Sequence, residues 1–179
     1  RARKQGFAHR YPFDKFTSRY GYMLKDREDA IAQCGPFYSQ HLGSANPPAG
    51  QQRDCVSILA VMVGDGVLDR DGWAVGTAKV FLKEAMQQQL EVAREQYLLK
   101  VVTERLQQAI NARDVPTLES AIAAALEVQL ESPLVQQARQ LLSLLQAQLA
   151  AAAKLREALA ARDMVQLEAA LTQCANVGL

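Results

Sequence analysis

Chemistry in a chain of this kind would need oxygen ligands, imidazoles, thiols or a phosphate-gripping loop. Candidates for each are present. "GDGVLDRDG" (Gly64 to Gly72) carries acidic residues between glycines, as a calcium loop does. Such a loop needs oxygen ligands at its first, third, fifth and twelfth places with glycine at the sixth. Setting Gly72 at the sixth place puts Val67 first and Ala78 twelfth, so the ligand set fails and a turn is expected. "GTAK" (Gly76 to Lys79) lacks the rest of a phosphate loop. His9, His41, Cys34 and Cys55 have no metal-ligand spacing. No Ser/His/Asp or Cys/His set stands out, and the second half of the chain has no histidine. No catalytic residue, metal site or cofactor is therefore assigned, and Trp73 is expected to be a packing anchor.

Composition bounds the remaining classes. The formal net charge is +1 and apolar residues make up 49%, which allows a packed core and argues against nucleic acid or a membrane surface as a general partner. Only the first stretch is lopsidedly basic (Arg1, Arg3, Lys4, Arg10, Lys15, Arg19, Lys25 and Arg27), as expected of a solvated or partner-facing terminus. Cys34, Cys55 and Cys174 are odd in number and far apart, and they suit reduced thiols in the cytosol. No apolar run has the length to span a bilayer, and no signal-peptide pattern is present. The start without Met leads us to expect a fragment of a longer chain.

The elements that position these residues fall into two grammars, divided at Phe81–Leu82. Residues 1–81 hold nearly all the glycine, proline and aromatic residues and predict a compact α+β unit. Phe13, Phe16 and Tyr20 have helical spacing. A segment with Asp26 or Asp29 as cap breaks at Gly35-Pro36. Gly43 to Gln52 is a loop by composition, and Asp54 caps a buried helix, "CVSILAVMV". Trp73, Val75 and Val80 suggest short strands. From Leu82 onward the pattern is helical, with Gly178 the one glycine after Gly76. Leu82, Met86, Leu90, Ala93, Tyr97 and Val101, flanked by Leu98, Val102, Leu106, Ala109 and Ile110, make one apolar stripe.

An internal repeat lies in this half. "LQQAINARDVPTLESAI" (Leu106 to Ile122) aligns with "LREALAARDMVQLEAAL" (Leu155 to Leu171) at an offset of 49 residues, within the range of helical repeats. Asp114 and Asp163 can cap the helices that follow them, Gln166 would complete a capping box, and Ser132-Pro133 is a helix start. Four helices are predicted, over 82–112, 115–130, 133–162 and 164–176, long and short in alternation and antiparallel to their neighbours. Leu118, Ile122, Ala125 and Leu126 should face the first helix. Leu134, Ala138, Leu141, Leu145, Leu149 and Leu159 should stripe the third, and the alanine run 150–153 should allow close backbone approach. An elongated all-α arm is expected.

Three ordered segments resemble the myosins. "QGFAHRYPFDKFTSRYGYML" (Gln5 to Leu24) resembles the start of the myosin converter, with Gly6, Phe7, Arg10, Phe13, Phe16, Arg19 and Tyr20 in the family's places and Leu24 one residue past its own. "CVSIL" (Cys55 to Leu59) is similar to the family's C-x-x-IL segment. "WAVGTAKVFLKEA" resembles the segment that closes the converter and opens the lever: Trp73, Gly76, Lys79, Val80, Phe81 and Leu82 match, while Thr77 and Ala78 depart. The likeness covers about residues 1–90. It implies a converter that turns with the nucleotide state of a motor core, and a lever that amplifies the turn into a stroke along actin, in a cytoplasmic, cytoskeletal motor. It further implies that Phe7, Arg10, Phe16 and Tyr20 face the relay and SH1 elements of the motor core, and that Trp73, Lys79 and Phe81 fix the lever. Actin would be met only through the motor core. Without the ATP-binding core, no ATP hydrolysis is expected of this piece.

The lever departs from the family. "LQQAIN" has Asn111 where an IQ motif needs Arg, and "VQQARQ" has Arg139 one place early, about 100° around a helix. Light chains and calmodulin are therefore not expected, and the short return helices would brace the arm in cis. The alternative is a helical-repeat module that binds cargo or a partner, with the converter as its attachment.

Overall fold

A computed structural model of the chain describes residues 6–25 and 50–179. The expected caps Asp26 and Asp29, the Gly35-Pro36 break, most of the loop from Gly43, and Cys34 and His41 lie outside the described residues. The chain forms two compact units, Arg1–Gln96 and Tyr97–Leu179. Among the described residues are a small antiparallel sheet and six α-helices.

In the first unit, strand β1 (Phe7–Pro12) alternates strictly: Phe7, His9 and Tyr11 are half-buried and Ala8, Arg10 and Pro12 exposed. Helix α1 (Phe13–Tyr20) follows at once, since Pro12 fixes the extended backbone that precedes it, and Asp14 and Arg19 suit the two ends of its dipole. A 3-10 turn, Gly21–Leu24, closes this segment. Helix α2 (Gln51–Gly64) starts after Gly50, which takes a positive φ of 68°. Asp54 therefore stands within its first turn and is not its cap, and Gln51 and Gln52 belong to the helix instead of the expected loop. Val56, Ile58, Leu59 and Met62 are all buried, and Ser57 is accommodated by donating to the Arg53 carbonyl oxygen at 2.9 Å.

Strands β2 (Trp73–Val75) and β3 (Lys79–Lys83) complete a sheet of order β1-β3-β2. Here the helical expectation from Leu82 is corrected. "KVFLK" has a period of two, with Val80 and Leu82 buried, and β3 pairs on both edges: Leu82 stands opposite His9 and Trp73, and Val80 opposite Tyr11 and Val75. The long helix α3 (Glu84–Ala112) begins only after Lys83. Its first turns give Met86 and Leu90 to the core of α1, α2 and the sheet. That is why the division between units falls inside α3, between Gln96 and Tyr97, and not at Phe81–Leu82.

In the second unit α3 is followed by α4 (Val115–Glu127), α5 (Pro133–Ala161) and α6 (Met164–Asn176). The repeat is stricter in structure than in sequence. The long helices have 29 residues each and the short ones 13, and each element begins and ends 49 residues after its counterpart. Between long and short helices stand Arg113 and Arg162, both left-handed with φ of 53° and 52°. After the short helices stand Gln129 and Gly178, at 52° and 74°. A left-handed residue ends a helix by turning the next N–H groups back onto its last carbonyls. Leu130 N–H accordingly reaches Ala125 O at 2.9 Å and Leu179 N–H reaches Cys174 O at 3.0 Å.

One core is shared by three helices: Val102, Leu106 and Ala109 of α3, Leu118, Ala121, Ile122 and Ala125 of α4, and Val135 and Ala138 of α5. Leu126, Leu149 and Leu159 are exposed, against expectation. Further along α5 the inward positions are alanines, Ala151 and Ala158, facing the hairpin formed with α6, whose buried residues are Ala170 and Cys174. Small residues at such a contact let helix axes approach.

Candidate functional site at the seat of the long helix

The first unit holds the root of α3 by side chains from three directions. From the sheet, Trp73 and Leu82 pack on Met86 and Leu90 in one core. Gly72 makes this possible: a Cβ there would lie 2.1 Å from Met86 Cγ, so only glycine lets the turn come this close. Gly76 sustains the β2–β3 turn, its N–H donating to Lys79 O at 2.9 Å while its carbonyl accepts from Gln52 Nε2 at 3.0 Å. Val80 and Leu82 are buried, Phe81 is half-buried over Gly76, and the Lys79 side chain is exposed, so Lys79 contributes its backbone to the junction and no side-chain clamp.

From α1 comes a polar clamp. Arg19 grips the Glu91 carboxylate with two parallel bonds, Nε to Oε1 at 3.0 Å and Nη2 to Oε2 at 2.5 Å. The Tyr20 hydroxyl donates to Glu91 Oε1 at 2.6 Å, and Gln87 Nε2 donates to the same oxygen at 2.9 Å. Fork-to-fork pairing of this kind fixes direction as well as distance. The Arg19 guanidinium holds the Glu91 carboxyl below its ordinary range, helped by Tyr20. Burial, together with the bond to Glu91, pushes the Tyr20 hydroxyl far above its ordinary value, so it remains a proton donor. Tyr20 is itself held edge-on by Tyr11 at 6.1 Å and against Phe16 at 4.9 Å. From β1, His9 Nε2 lies 2.7 Å from Glu84 Oε2 at the first residue of α3.

Two of the four residues expected to face a motor core are corrected by burial. Phe16 and Tyr20 are wholly inside, because α1 turns its Phe13, Phe16, Tyr20 stripe onto α2 and the sheet. Phe7 is half-exposed and Arg10 exposed. Arg10 lines, with Tyr11, Pro12, Lys15, Arg19 and Arg94, a depression of about 490 Å³, a concave surface of positive sign. The residues missed in the sequence are Gln87, Glu91, Glu84 and Arg94. Glu84 and Glu91 meet partners some seventy residues away along the chain, and on the helix surface all four look like any solvated polar face.

The caps of the second unit have ordinary geometry. Asp114 accepts from Thr117 N–H at 3.1 Å, Ser132 from Val135 N–H at 3.4 Å, and Asp163 from Val165 and Gln166 N–H at 3.0 and 3.2 Å. The capping box expected at Gln166 lacks its reciprocal arm, since the Asp163 N–H is already donated to Ala158 O at 3.4 Å. Cys55 and Cys174 are free and buried. Burial raises the Cys55 thiol pKa, with Thr17 Oγ1 at 3.4 Å as its partner. Among the described residues no three His, Cys, Asp or Glu side chains gather as a metal site, and no helix is long and apolar enough to cross a membrane.

Comparison with protein-family models, curated proteins and solved structures gave no match.

Proposed function

We propose that the chain is the converter and proximal lever of a myosin-type motor: a small unit that is turned by a motor core and a helical arm that carries the turn outward. The observation that carries this reading is the seat of α3. A helix of 29 residues, on the order of 45 Å long, is gripped through its first two turns by a bidentate Arg–Glu pair, a buried tyrosine and a tryptophan-lined core. Isolated helices draw little stability from propensity, so such a root suits an element that must transmit torque. The three sequence segments that resemble the converter fall on β1, on the middle of α2 and on β3, elements that surround this root. Contact with the relay and SH1 elements is assigned to Phe7, Arg10 and the basic depression instead of Phe16 and Tyr20. The return helices α4 and α6, capped by Asp114 and Asp163, take the place of light chains, and actin is reached only through the motor core.

The test is to join the chain to a myosin motor core and measure actin gliding. Speed should grow with each added 49-residue period. A speed indifferent to that number removes the lever reading. The alternative, a repeat module that binds a partner or cargo, is favoured by the large apolar side chains exposed on the second hairpin, Leu159, Met164, Val165 and Leu171. Capture of a partner by residues 95–179 with no effect on gliding would support it.

A further inference from the structure

The two hairpins have the same lengths and the same turns, so burial can be compared position by position. Residues that join the two helices of one hairpin are buried in both copies: Ala109 and Ala158, Ala121 and Ala170, Ala125 and Cys174. A second set behaves differently. Ile122 is 8% exposed, but Leu171 at the same place is 51% exposed. Leu106, Leu118 and Leu130 are buried or packed on the first core, while their counterparts Leu155 and Leu167 are only half-buried and Leu179 is exposed. This second set is the one that Val135 and Ala138 of α5, with Leu142 and Leu145 beside them, share a core with in the first hairpin. The polar contact there is also provided for: Gln146 Nε2 donates to Glu119 Oε1 at 3.0 Å, and Glu168 occupies the place of Glu119.

We propose that the face formed by Leu155, Leu159, Leu167, Leu171 and Leu179 is the seat of one more long helix of the α5 type, packed on α6 as α5 packs on α4. The occupant has apolar residues at the spacing of Val135, Ala138, Leu142 and Leu145, and an amide-bearing residue at the place of Gln146 to meet Glu168. The face continues the α4–α5 interface by one period, and an apolar patch of several leucines on a helical hairpin marks an interaction site. This inference rests on the comparison of the two hairpins and holds with or without a motor attached.

The probe is a fluorescent peptide spanning residues 131–150 of this sequence, added to the whole chain and followed by anisotropy, with light scattering of the chain alone alongside. Saturable one-to-one binding is expected, weakened about tenfold or more by Leu171→Asp, a change at an exposed position that leaves both hairpin cores intact. A smaller loss is expected from Glu168→Ala. The peptide variant L142D/L145D should not bind the unaltered chain, which keeps the test independent of how Leu171→Asp folds. Absence of binding overturns the proposal, and so does binding indifferent to Leu171→Asp. Dimerisation of the chain that Leu171→Asp abolishes overturns it as well, since the face would then belong to a second copy.

Discussion

At the scale of single residues, Glu91 carries the most. It receives Arg19, Tyr20 and Gln87 at once, and it joins α1 to α3 across a sequence separation that no local pattern records. Glu91→Ala should cost about 1–2 kcal/mol in urea unfolding, a range held down by the partial exposure of the pair. Tyr20→Phe keeps the ring and loses one bond, so about 1 kcal/mol is expected. The pH dependence has a definite sign. Because the folded state lowers the Glu91 pKa, its stabilisation is complete above the ordinary carboxylate range and is lost as pH falls through the lowered folded value. Glu91→Gln should therefore flatten the acid limb of a stability profile measured by thermal melting. Gly72→Ala should cost about 1–3 kcal/mol, since its methyl group would displace Met86 from the core.

At the scale of elements, helix ends decide. Asp114→Ala and Asp163→Ala should each cost about 1 kcal/mol, read as a loss of helicity and a lower midpoint in urea. Arg113, Arg162 and Gln129 stand left-handed, a conformation that glycine takes without a Cβ penalty. The chain makes the comparison itself, with Gly178 where the other copy has Gln129. Gln129→Gly should raise stability by about 0.5–1 kcal/mol. The elements were unevenly legible in the sequence. Ser132-Pro133 and the two Arg-Asp pairs mark helix boundaries by local chemistry, and the structure places those boundaries within a few residues of expectation. Leu82 fits both periods, because a buried strand running straight into a helix offers apolar residues to either. Leu126, Leu149 and Leu159 extend their stripes on paper, yet a stripe is buried only where a neighbouring helix crosses it. Arg19 and Glu91 were invisible for a different reason: pairing through tertiary contact leaves no spacing to find.

At the scale of the whole molecule, the units Arg1–Gln96 and Tyr97–Leu179 share one helix. Under the lever reading, torque passes along the backbone of α3 between Gln96 and Tyr97. Inserting two glycines there should leave the circular dichroism and melting of each unit nearly unchanged while gliding of a motor fusion falls sharply. Gliding that survives the insertion would mean the helix is no shaft. Adding a period should act in the opposite sense.

The equal lengths of the two hairpins also set which changes of length such a chain can absorb. Adding or removing a whole 49-residue period keeps every helix face in phase with its neighbours. Deleting a few residues inside a long helix rotates all that follows it by about 100° per residue and turns leucine toward water.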